Sequence, residues 1–546
     1  MGKTLSSQVC VQSGKMATTP VPSRFSFSSA LRWLRPSHEH TPLSATLLLM
    51  TAVMLSRVVG FLRETYISNT FGADPQTDAF FAAFTIPDWL NYLVAGGTVS
   101  ITFISIFTRY VSEKREAEAQ KAFSVIITVM TAVLGVGIVL TEIFTPQILH
   151  HYLHSFKPEQ LALCSYLTRI LLPAQVFFYV GGVVSAVLLS RRLFLLPALG
   201  GIFYNVFIIL GGVLLHRQLG IASLAFGAVA GAVMGPFLIN VIGARRTGMS
   251  YRPSFEISNP GFREWVWLSI PLMLGVSLVS ADEWIMRYFA AGLAGDISRL
   301  NFAKKLFLVP IAVLGQASGQ ASLPFFARLF GEKKLREFAA SVNNSVYRVA
   351  AASLLASSWM MAASLPFVDL VFRRGKFTWA DSQQTAVFFF WFALSLALWS
   401  AQALYARAFY AAGNTLTPMV AGTIITAASL PMYAALFHSH LAVGLTIASD
   451  LGIAAHTVAL AVLLNRKRLV RLSDMNWLEL GKALFVSLIA ATASFLAGKS
   501  VNLNGSRLAD VKALALISFT WAAAAFAGLW VTRSQLLSQL RRRVGP

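Results

Sequence analysis

Ionisable residues inside otherwise apolar segments are the first sign of chemistry in this chain. The segment SRVVGFLRE places Arg57, Arg63 and Glu64 in one apolar stretch. At about 100° per residue, Arg57 and Glu64 share a helix face, and Arg63 broadens the basic surface. A charged group at mid-bilayer costs about 2.5–3.5 kcal/mol on insertion scales, so it needs a partner, a wet cavity or a function. Two arginines on one helix fit an anion-accepting cavity, because guanidinium forks match phosphate and carboxylate oxygens. Snorkelling to the interface is the bland alternative for Arg63 and Glu64. In TDAFFAAFTIPDWLNYLVAGGT, Asp78 can cap the helix start or act in gating, and Asp88 follows Pro87 and needs a partner. SADEWIMRYF carries Asp282, Glu283 and Arg287, the last two spaced i,i+4 as an ion pair. Asp282 is left to take a cation or a base from the other half. FAKKLFLVP carries Lys304 and Lys305 about 100° apart, so one of them is expected to face a cavity.

These residues lie in a chain of 546 residues that is 56% hydrophobic and 12% charged. Soluble proteins carry about 25% charged residues. The composition excludes a soluble enzyme, a nucleic-acid module and a disordered scaffold. What remains is an all-α integral membrane protein. A crossing helix needs about 20 apolar residues. Fourteen candidate spans follow: 43–68, 78–108, 122–144, 160–190, 196–216, 220–243, 264–291, 300–328, 338–365, 381–412, 417–437, 442–464, 477–498 and 511–532.

The net charge of +22 is explained by topology rather than by nucleic acid. Runs such as RYVSEKREAEAQK, GARRTGMSYR, ARLFGEKKLRE and NRKRLVR follow even-numbered spans. The positive-inside rule puts them, and both termini, in the cytoplasm. Residues 1–42 read as a flexible cytoplasmic tail. No GxxxxGK[ST] motif occurs, so ATP is not expected as the direct energy source. No metal or cofactor site is expected. A sodium or proton gradient, or the membrane potential, would drive any transport.

The halves repeat weakly. Arg109-x3-Glu113-Lys114 recurs as Arg328-x3-Glu332-Lys333, and Pro197 aligns with Pro418. GIASLAFGAVAG resembles VGLTIASDLGIA at an offset near 223. Six spans per repeat make the repeats parallel, a common transporter plan with its site between the lobes. The expected organisation is an N-lobe over 43–243, a cytoplasmic linker over 244–263 and a C-lobe over 264–465. Two extra helices and a basic tail fill 466–546.

SRVVGFLRE followed by FGADPQTDAFFAAFTIP resembles the opening of the lipid II flippase family (MurJ). FRRGKFTWAD and FYAAGNTLTP resemble its later signatures, and the likeness covers most of 43–540. The resemblance implies the two-lobed fold of the multidrug/oligosaccharidyl-lipid/polysaccharide exporter superfamily. It implies alternating-access flipping of lipid II, the undecaprenyl-pyrophosphate-linked peptidoglycan precursor, across the bacterial cytoplasmic membrane for cell-wall synthesis. It makes lipid II and membrane lipids the partners, with cell-wall enzymes as further candidates.

By the same resemblance, Arg57, Arg63 and Lys305 are the expected pyrophosphate ligands, and Glu64 and Asp78 are expected in gating. Lys304, which stands where the family has an acid, is a further candidate ligand by its charge. Asp88 and the added charges Asp282, Glu283 and Arg287 are expected, from their own positions, in gating and ion pairing. The chain departs from the family at Asn91-Tyr92 and at Ala95-Gly96-Gly97, where the family carries arginines and then a Glu-Gly pair. Lysine replaces a cavity arginine at Lys305. A diverged flippase for another polyprenyl-linked oligosaccharide is the first alternative. A cation-coupled drug exporter of the same superfamily is the second, and an envelope-assembly scaffold the third.

Overall fold

The computed structural model describes residues 42–536, apart from 96, 192, 275–277 and 504. The expected tail and the final basic residues lie outside the described residues. Every regular element among the described residues is helical. Among the described residues, eight helices are long and apolar enough to cross a membrane, and two bent pairs bring the number to ten. The remaining expected passes are interrupted or carry the charges of interest, so length and apolarity alone do not count them.

The second expected pass is in three pieces: Pro75–Ala83, Thr85–Ala95 and Gly97–Ser112. Its first break falls at Phe84, three residues before Pro87. Pro87 then occupies the first turn of the next piece, where its missing N–H costs nothing. The seventh pass is also divided, into Pro260–Leu274 and Leu278–Ala290. The eighth runs from Asp296 to Gly331 through a π-helical segment at Ile311–Ala317, immediately after Pro310. A π-bulge of this kind re-aims the side chains that follow it.

The internal repeat is written in the backbone. Lys114 (φ 61°) and Lys333 (φ 57°) both take the left-handed conformation, 219 residues apart. Their neighbours make matching turns, with Arg115 N–H bonding to Tyr110 O and Lys334 N–H to Leu329 O. Gly220 (φ 54°, ψ −134°) and Leu441 (φ 52°, ψ −136°) share an unusual conformation at an offset of 221. A branched side chain there is strained, so its recurrence reflects the shared turn. The register at this point is therefore 221, not the 223 suggested by sequence. Leu441 also marks where Leu416–Arg466 bends into two passes.

The last two helices, Trp477–Lys499 and Arg507–Val531, pack on each other and on Leu335–Ala362. Trp359 Nε1 donates to Ser518 Oγ (3.0 Å), and Trp521 Nε1 to Ser358 Oγ (2.8 Å). Burying each indole N–H with a hydroxyl partner fixes this added pair to the C-lobe.

Candidate functional site

The first described helix, Pro42–Phe71, carries Arg57, Arg63 and Glu64, whose partners come from both lobes. Arg57 Nη2 donates to Gln316 Oε1 at 2.7 Å, and Gln316 is presented by the π-helical segment. Arg57 also lines a cleft of about 420 Å³ with Met54, Phe61, Val309, Trp359 and Phe389. That cleft is apolar apart from the guanidinium, so it suits a hydrocarbon chain that ends in an anion. Arg57 and Glu64, though on one helix face, do not pair with each other. Arg63 instead bonds Glu64, and its Nη1 donates to Asn205 Oδ1 at 2.9 Å. Glu64 is 1% exposed and accepts a second bond from Asn301 Nδ2 at 3.3 Å. Buried and fully engaged, it holds Arg63 in place rather than snorkelling.

A second cavity, of about 170 Å³, lies between the lobes. Its polar lining is Arg63, Glu64, Asp88, Tyr204, Glu283, Arg287, Asn301 and Lys305. Arg287 Nη1 reaches across to Asp88 Oδ2 at 3.1 Å and to Thr85 Oγ1 at 3.3 Å. That supplies the partner Asp88 needs, from the other lobe. Arg287 also keeps the expected i,i+4 pair with Glu283, at 3.4 Å, while Lys305 Nζ lies 3.3 Å from the other Glu283 oxygen. Asn91, where the family resemblance led to an arginine, hydrogen-bonds Gln175 at 3.1 Å.

The two lysines separate as their spacing requires. Lys305 faces the cavity. Lys304 is 5% exposed and turned the other way, paired with the fully buried Asp282, which also accepts from Tyr433 Oη. Asp282 thus takes a base from its own lobe. This triad lies outside the lining of the inter-lobe cavity, although Lys304 borders a small adjoining pocket with Glu283, Arg287 and Asn301, and breaking such a buried pair strands a charge.

Asp78 has a different task from the helix cap considered above. The cap of its own helix is Asp74, which accepts from Thr77 N at 2.9 Å. Asp78 is 1% exposed and caps the helix Asp296–Pro310 of the other lobe. It accepts from Gly295 N (2.5 Å), Ser298 N (2.8 Å) and Ser298 Oγ (2.6 Å). A carboxylate at a helix N-terminus meets both unpaired N–H groups and the positive end of the dipole. Arg299 steadies that helix start by bonding Asp296 and Asp381. Nearby, Lys376 N donates to Asn69 O at 2.9 Å. Gly375 (φ +56°) lies so close that a Cβ would sit 2.1 Å from the same carbonyl. These contacts close the lobes together at the Phe71 end of the first described helix, away from Pro42.

Asn205, Asn301, Gln316 and Thr85 were invisible to a search for charge. Their signal is weak, because a neutral amide or hydroxyl in an apolar helix is common.

A family model described as lipid II flippase MurJ matches residues 67–510. The chain belongs to the lipid II flippase MurJ family. It is 28% identical to the lipid II flippase MurJ of Burkholderia cenocepacia, over 88% of this chain and 95% of that one. It is 24% identical to the probable lipid II flippase MurJ of Thermotoga maritima, over 76% of this chain and 84% of the relative. Among solved structures, a lipid II flippase MurJ in an inward closed conformation superposes with a TM-score of 0.74 at 20% identity, covering 88% of this chain and 99% of that chain. An inward-facing multidrug resistance MATE transporter superposes at 0.61 with 14% identity, covering 78% of this chain and 98% of that one. The MurJ family fold therefore carries the cavity, and the MATE transporter shares its architecture.

Proposed function

We propose that this chain flips lipid II from the inner to the outer leaflet of the bacterial cytoplasmic membrane by alternating access. The observation that carries this reading is the convergence of Arg63, Arg287 and Lys305 on one inter-lobe cavity. Arg57 adds a further cation at the mouth of an apolar cleft. A polyprenyl diphosphate needs both halves: cations for the phosphates and an apolar wall for the chain.

Both termini face the cytoplasm in this reading, so the Asp78 contacts form the outer closure. The substrate enters with the outer end shut. Arg57 and Arg63 fork onto phosphate oxygens, and Lys305 adds a point charge. Opening requires Asp78 to leave the helix start at Gly295–Ser298. Glu64 holds Arg63 aimed, and Lys304 serves the second lobe by neutralising Asp282. No covalent step and no resident metal or cofactor is needed. The driving force is assigned to the membrane potential or to a sodium or proton gradient. Cell-wall synthesis enzymes would receive the product.

The test is complementation in a bacterium whose own lipid II flippase can be depleted, with outward exposure of lipid II assayed in the same cells. Rescue by the wild-type chain, lost with Arg57→Ala at equal membrane abundance, is expected. Full rescue by Arg57→Ala would remove the cation from the account. A well-inserted wild type that never exposes lipid II would overturn the substrate assignment.

A further inference from the structure

The inter-lobe cavity contains its own anions. Arg63 is matched by Glu64, and Arg287 and Lys305 by Asp88 and Glu283. These carboxylates are not equivalent. Glu64 is 1% exposed and bonded to both Arg63 and Asn301, so displacing it would strand a buried charge. Asp88 holds Arg287 at 3.1 Å and anchors it to the first lobe, with Thr85 beside it.

Glu283 differs in both geometry and exposure. One of its oxygens faces Lys305 Nζ at 3.3 Å and the other faces Arg287 Nη2 at 3.4 Å. Charge-assisted bonds of this kind usually close to about 2.7–2.9 Å. Both contacts are therefore long, as expected of one carboxylate stretched between two bases. Its side chain is 29% exposed and that of Lys305 is 28% exposed, so a displaced carboxylate finds water in the cavity. One anion bridging two cations from two helices, oxygen by oxygen, is the arrangement a diphosphate would make there. A diphosphate esterified at both ends brings more oxygens and one negative charge on each phosphoryl group, two in all, against one for a carboxylate.

We propose that Glu283 is a built-in anion that occupies, in the empty cavity, the position between Lys305 and Arg287 that the substrate diphosphate takes, and that it must be displaced for the substrate to bind. This rests on the diphosphate-lipid reading above and adds the residue that sets its affinity. Glu283 keeps Lys305 and Arg287 apart from smaller or weaker anions. It also returns to them when the substrate leaves, so the empty carrier can reset without two unpaired cations in the membrane.

The test uses the purified full-length chain in detergent, with undecaprenyl diphosphate as the probe and binding followed by native mass spectrometry or a fluorescence titration. Glu283→Gln keeps the shape and removes the competing charge. It is expected to bind the probe about tenfold more tightly than wild type at low salt, a change of about 1.4 kcal/mol. Glu283→Asp pulls the carboxylate back by one methylene and should bind about threefold tighter. It serves as the deciding variant if Glu283→Gln does not fold. Glu64→Gln, which loosens Arg63, should bind more weakly. Wild-type binding that stays unchanged or weakens in a folded Glu283 variant overturns the displacement role alone. No binding of the probe by wild type or by either Glu283 variant overturns the diphosphate-lipid reading itself.

Discussion

Replacing Asp78 tests whether the contacts at the Phe71 end of the first described helix hold the lobes together. In the structure one carboxylate receives three bonds from the start of the helix Asp296–Pro310, at 2.5, 2.8 and 2.6 Å. Asp78→Ala removes all three and leaves two backbone N–H groups without their acceptor. A hydrogen bond to a charged group contributes about 1.5–3 kcal/mol, and an unsatisfied buried donor costs about 1–3 kcal/mol. Water reaches the site once the lobes part, so the open form recovers much of this loss and the closed form does not. A relative shift of about 3 kcal/mol towards opening follows, or more than a hundredfold in the equilibrium. Spin labels at Gln76 and Arg374, both exposed and on opposite lobes, report the closure by electron–electron distance measurement. Wild type should give one short distance, and Asp78→Ala a broadened distribution with a long component. Asp78→Asn should lie between, because its amide offers one acceptor and turns a donor towards one of the N–H groups. A folded Asp78→Ala protein with the wild-type distance distribution would refute the reasoning.

Three further outcomes are expected. Gly375→Ala should open the same end, since its Cβ would meet the Asn69 carbonyl at 2.1 Å and its φ of +56° suits glycine; the same labels would detect it. Lys304→Met leaves Asp282 buried beside Tyr433 without its base, which should destabilise the C-lobe by about 3–5 kcal/mol. Thermal melting should show that loss, and Lys304→Met/Asp282→Leu should recover most of it. Gln316→Leu releases Arg57 from its 2.7 Å partner and should lower lipid II exposure several-fold at unchanged abundance, whereas Gln316→Asn should retain part of it.

Much of the site was legible because charge in an apolar helix is expensive and therefore informative. Arg57, Arg63 and Glu64 stood out on that ground, and the i,i+4 spacing gave the Glu283–Arg287 contact directly. The spacing of Lys304 and Lys305 required them to separate, but not which one would face the cavity. That depends on the rotation of the helix, which packing sets. The link from Asp88 to Arg287 spans 199 residues and two lobes, beyond the reach of any local pattern. Asp78 was misleading for a related reason. Asp74-Pro75 is the better start signal for that helix, and recognising it would have freed Asp78 for a distant partner.

The repeat was readable in outline from the paired Glu-Lys turns. Its register needed the backbone, where Gly220 and Leu441 share one conformation despite unlike side chains. The break at Phe84 and the π-helical segment were hidden because proline marks a disturbance without locating it. At Thr85–Ala95 it starts a helix, and at Pro310 it precedes the change of pitch that presents Gln316.

The central claim is that the paired cations carry a lipid-linked diphosphate across the bilayer. The most direct measurement reconstitutes the purified chain in liposomes with fluorescent lipid II and follows its transfer between leaflets by quenching from outside. Wild type should move the lipid, and Arg63→Gln and Lys305→Gln should each slow it at least tenfold at equal reconstitution. Equal transfer by both variants, or equal transfer of a polyprenyl lipid that lacks the diphosphate, would contradict the account.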